Sequence, residues 1–63
     1  MNKYYPIALT DNNQISVLEG SVKKDDADYH KQMFKLGGHR KVGIVKAISV
    51  DDARTKAALH WLI

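Results

Sequence analysis

Residues 41–62 read KVGIVKAISVDDARTKAALHWL, and the change of period inside this stretch decides the fold class. Over 41–49, Val42, Ile44, Lys46 and Ile48 alternate with Gly43, Val45, Ala47 and Ser49. A repeat of two marks a strand, and both sets are largely apolar, which predicts a central strand covered on both faces. Gly43 weakens such a strand slightly or admits a close backbone approach. Ser49-Val50-Asp51-Asp52 then opens a helix: a hydroxyl followed three residues later by a carboxylate is a capping box with Asp in place of Glu. Acids in the first turn suit the positive end of the helix dipole. A helix is predicted over 51–62, with Val50, Ala53, Ala57 and Trp61 within about 80° of one another around its axis.

Upstream, residues 27–36 follow the helical period. Ala27, Tyr29, His30, Met33, Phe34 and Leu36 fall on one half of the wheel, and Asp28, Lys31, Gln32 and Lys35 on the other. Asp25 or Asp26 is the expected N-cap, and Gly37 the expected left-handed stop. Residues 4–10 alternate, with Tyr5, Ile7 and Leu9 on one side, and residues 14–19 alternate again through Ile15 and Val17. Asp11-Asn12-Asn13 between them is a turn signal, so the pair reads as a β-hairpin. Pro6 has no N–H to donate, which places its strand at a sheet edge or puts Pro6 near the strand start. The expected architecture is a single α+β domain over 1–63, ordered β-β-α-β-α, with a three-stranded sheet and two helices.

The chain has 63 residues, 44% apolar and 27% charged, a globular balance that argues against disorder. At this length folding removes roughly 60% of the unfolded surface from water, enough for one small core. The absence of cysteine excludes a disulfide framework, a thiolate nucleophile and a zinc–sulfur site. No apolar run reaches the length of a membrane span, and residues 1–6 lack the apolar stretch of a secretory leader, so a cytoplasmic location without membrane attachment is expected.

Charge is unevenly placed. Residues 1–28 carry a net −2, residues 29–50 a net +5 with no acid, and residues 51–63 none. Lys31, Lys35, His39, Arg40, Lys41 and Lys46 of the middle block, with Gly37 and Gly38 among them, form a candidate DNA or RNA surface, because cations and backbone N–H groups both suit phosphates. The same cations also complement the negative end of the preceding helix. Ala53-Arg54-Thr55-Lys56-Ala57-Ala58-Leu59 resembles the final helix of double-stranded RNA-binding domains. That family opens with a helix where this chain opens with a hairpin, and it has lysines where Asp51 and Asp52 stand here, so its function is not carried over.

His30, His39 and His60 lie on three different elements without the short paired spacing of zinc ligands, so no metal or other cofactor is expected. Asp25-Asp26 and Asp51-Asp52 are accounted for by helix starts, and no nucleotide loop or nucleophile elbow is present. These features point away from an enzyme. The C-terminal Leu59-His60-Trp61-Leu62-Ile63 is apolar on more than one side, and a thin sheet covers only one of them. Tyr4, Leu59, Trp61 and Ile63 are therefore the candidate partner-binding residues. The expected function is a small non-enzymatic protein-interaction module, binding a protein partner or a second copy of itself. Its size class suggests a phage or mobile-element accessory protein that inhibits a host factor. Nucleic-acid binding through the basic block is the alternative.

Overall fold

Lys3–Leu9 forms the first strand, β1, and every residue from Tyr5 to Leu9 is buried. Successive strand side chains point to opposite faces, so five consecutive buried residues need cover on both. The computed structural model, which describes residues 2–62, provides it with two helices. The sheet has three strands in the order β2-β1-β3, with β2 at Ile15–Val17 and β3 at Lys41–Ala47, all neighbours antiparallel. Helix α1 (Lys24–Leu36) carries the chain from β2 to β3, and helix α2 (Val50–Trp61) follows β3. The chain is thus the small α+β domain of β-β-α-β-α order that the periodicities predict.

Tyr5 and Ala47 pack on Ala53 of α2, with Val17 and Val45 around them, and Trp61 lies against Gly43 and Ile7. Pro6 and Ala8 point the other way and are equally shielded. That face is covered by α1, which buries Ala27 and Phe34 and does not touch α2.

Two strand positions differ from expectation. β3 lies at an edge and β1 in the middle, the reverse of what Pro6 and the apolar 41–49 run imply. β3 is apolar on both faces because both helices reach over it, and such cover does not require a strand on each side. Pro6 is accommodated by a bulge. Tyr4 and Ser21 exchange both backbone bonds (2.7 and 2.9 Å), and Ile7 pairs with Val17. Two residues lie between Tyr4 and Ile7 but three between Val17 and Ser21, so the ladder slips by one beside Pro6. The Pro6 carbonyl still accepts from the Leu18 N–H at 3.1 Å; the absent Pro6 N–H faces the disrupted part of the ladder.

The hairpin loop matches its turn signal. Asn13, at φ 61°, takes the left-handed position, its N–H donates to the Thr10 carbonyl at 3.0 Å, and the Thr10 N–H donates to Gln14 at 2.9 Å. The ends of α1 differ from the reading. The helix starts at Lys24 and neither Asp25 nor Asp26 caps it; instead the Ser21 hydroxyl accepts from the Lys23 N–H (3.1 Å) and donates to Asp26 (3.0 Å). Gly37 is right-handed at φ −76°, and the left-handed residue is Gly38 at φ 83°. The buried edge of α1 also differs: Tyr29, Met33 and Leu36 are exposed, because the sheet accepts only the Ala27–Phe34 side of a half-cylinder of apolar residues.

At the start of α2, Ser49 Oγ accepts from the Asp52 N–H at 3.0 Å as predicted. The Asp52 carboxylate reaches back to the Ile48 N–H at 3.1 Å, one residue before the cap. That bond holds the Asp52 carboxyl below its ordinary value of 3.8; partial loss of hydration opposes the shift and the Lys56 ammonium adds to it. A carboxyl with a lowered folded-state pKa stabilises above its unfolded value and loses that contribution as pH falls through the folded one. Urea midpoints of wild type and Asp52→Asn should therefore differ at neutral pH and converge as pH drops below 3.8. A gap that is constant with pH would remove the carboxylate from this role.

Candidate interaction edge

A strand at the border of a sheet leaves alternate backbone N–H and C=O groups without partners. Tyr4, Pro6, Ala8 and Thr10 direct theirs to the β2 side, so Tyr5, Ile7 and Leu9 direct theirs to β3. Through the register Tyr5–Val45, Ile7–Gly43 and Leu9–Lys41, the groups of Val42, Ile44 and Lys46 point outward. The Lys46 carbonyl accepts from Lys56 Nζ at 2.8 Å, while among the described residues no side chain or loop bonds the Val42 or Ile44 backbone. The opposite edge is shorter and partly occupied. β2 has only three residues, it ends in the bulge, and the Arg54 guanidinium donates to the outward Ile15 carbonyl at 2.6 Å. The longer free edge is therefore that of β3, a strand of seven residues.

A groove of about 320 Å³ runs beside that edge, floored by Ile7, Gly43 and Val45 and walled by Lys56, His60 and Trp61 of α2. Gly43 matters here because its missing side chain leaves room over the strand next to Trp61. On the other face, Asp26 and His30 of α1 line a shallow cavity with Glu19, Gly20 and Ser21, which turns that side of the helix toward the β2 end. At 100° per residue the opposite side, carrying Asp28, Lys31 and Lys35, turns toward β3.

The candidate partner-binding residues do not form one patch. Tyr4 is half-buried on the α1 face of the sheet with Lys46 Nζ 5.7 Å from its ring centre, whereas Trp61 is half-buried on the α2 face. Leu59 is 60% exposed on the outer side of α2, and Ile63 lies outside the described residues. Of the basic candidates, His39 and Arg40 also have hydrogen-bond partners. His39 Nδ1 is 3.0 Å from the Phe34 carbonyl, its ring edge-on to Phe34, and Arg40 donates to Asn13 at 3.0 Å. Lys41 and Lys46 lie on β3 and Lys56, which the sequence reading left out, bonds the Lys46 carbonyl; the helical period turns Lys31 and Lys35 toward the same strand. Lys56 was detectable only in space, because its link to Lys46 joins a strand to the helix after it. Sequence reasoning put Tyr29, Met33 and Leu36 on the apolar half of the helix and missed that they form an exposed stripe.

Among the described residues no cluster of three His, Cys, Asp or Glu forms a metal site, and no helix is long and apolar enough to cross a membrane. Compared with known proteins, the chain matches no family model, no curated protein and no solved structure.

Proposed function

We propose that this chain is a non-enzymatic protein-interaction module of the cytoplasm that works by taking an extended segment onto β3. The observation that carries the reading is the asymmetry of the two borders: the Val42 and Ile44 backbone groups of the seven-residue β3 point outward unbonded, while β2 has three residues and Arg54 occupies its Ile15 carbonyl. Strand addition to such a border uses main-chain hydrogen bonds for affinity and flanking pockets for selectivity, so it needs no enclosed site, in keeping with the small core. The narrower version, a phage or mobile-element product blocking a host factor, rests on chain size alone.

The test uses a synthetic 63-residue chain in which the Ile44 amide is N-methylated, deleting one outward donor and keeping the side chain. Affinity capture with wild type and the methylated chain, with light scattering at micromolar concentration, reads the result. A protein captured by wild type, or a dimer, that disappears with the methylated chain supports the reading. Capture that survives methylation, or a monomer that captures nothing, overturns it.

The second reading, nucleic-acid binding, is favoured by the convergence of Lys31, Lys35, Lys41 and Lys46 on one border. Phosphate neutralisation would make affinity fall steeply with salt. A mobility-shift series with DNA and RNA decides it, and no shift at low salt ends it.

A further inference from the structure

We infer that the segment received by β3 is an acidic extended peptide from another protein, with an apolar side chain near its centre; this rests on the strand-addition reading above. β3 begins and nearly ends with exposed lysines, Lys41 and Lys46, and Lys56 lies across its far end. Lys31 and Lys35 of α1 turn toward the same border, where Asp28 is the acid on that side of the helix. Asp52 is 3.3 Å from Lys56 and held by the Ile48 N–H, so it neutralises only one cation. A fourth strand therefore enters a field of positive sign.

Side chains of an added strand alternate between the two faces. On the α2 face they meet the groove, in which Gly43 presents no side chain and Trp61 presents an aromatic wall. That space suits one apolar side chain at the centre, with carboxylates before and after it within reach of the lysines. A second copy of this chain does not meet the requirement. KYYPIAL, ISV and KVGIVKA contain no acid, so none of its own strands supplies the opposite charge, and its acids lie in loops and on helices. Pairing of two β3 strands would bring two basic borders together.

The probes are two end-blocked nine-residue peptides with valine and leucine at the centre, one flanked by glutamates and one by lysines. Amide hydrogen exchange of the Val42 and Ile44 N–H groups is followed by NMR on the full chain, with the Trp61 indole as a second signal. The acidic peptide should slow exchange at both amides and shift the indole, and the lysine peptide should do neither. In Lys41→Glu/Lys46→Glu the acidic peptide should weaken about tenfold and the lysine peptide should gain. Lys41→Gln/Lys46→Gln replaces that variant if its amide spectrum is not native. Equal protection by both peptides overturns the acidic partner while leaving strand addition standing. Acidic-peptide binding without protection at Val42 and Ile44, or its full displacement by polyphosphate, overturns strand addition and marks a general anion surface. No response to either peptide overturns the inference.

Discussion

Replacing Ile7 with alanine should remove about half of the folding stability of the chain. Ile7 is 1% exposed at the centre of the middle strand, paired with Val17 on one side and Gly43 on the other. It also lies at the floor of the Trp61 groove. Removing three carbons there loses their transfer free energy and leaves a void, about 2–5 kcal/mol together. Domains of this length hold about 3–9 kcal/mol in total. Neighbours have little freedom to fill the gap, because Gly43 has no side chain and Pro6 and Ala8 face away. Ile7→Val, which should cost about 0.5–1.5 kcal/mol, gives a graded control. Urea unfolding of the three proteins is the measurement, and an Ile7→Ala cost under about 1 kcal/mol would show that the core is centred elsewhere.

Of the four glycines, Gly20 is the one where an added methyl should clash hardest, so Gly20→Ala should be clearly destabilising. A Cβ at Gly20 would stand 2.6 Å from two carbons of the Tyr5 ring. Tyr5 is 5% exposed and packs with Ala47 and Ala53, so the ring has nowhere to retreat without disturbing α2. Overpacking of this kind costs about 1–3 kcal/mol, and each kcal/mol lowers Tm by about 4–8 °C in a domain of this size. Gly43→Ala is the comparison. Its new Cβ would meet Trp61 at 3.6 Å and Ile7 at 3.8 Å, ordinary contact distances, so stability should hardly change. Thermal melts of both variants settle the contrast, and equal losses would mean that Tyr5 yields easily.

The contrast also shows what a single sequence discloses. Local signals were legible: the Ser49 cap, the Asn13 turn and the alternation of β1 and β3 are set by neighbours along the chain. Lateral strand order was not, since it depends on which backbone groups meet, and Pro6 pointed to the wrong place because the bulge that excuses it is formed by Leu18, Glu19 and Gly20. The α1 wheel separated polar from apolar correctly but could not say that a three-stranded sheet would take only one border of its apolar half, leaving Leu36 81% exposed. The candidate edge was legible in part. The basic residues were visible as a run, while the Lys56 and Arg54 bonds to strand carbonyls and the outward direction of Val42 and Ile44 exist only after folding.

The Arg54 bond to Ile15 has a consequence for assembly. A sheet that accepts neighbours at both margins can propagate without limit, each newcomer offering a fresh docking rim. With β2 only three residues long and its Ile15 carbonyl already taken by Arg54, a guest strand is steered to the other margin, so each chain should capture its first guest at a single place.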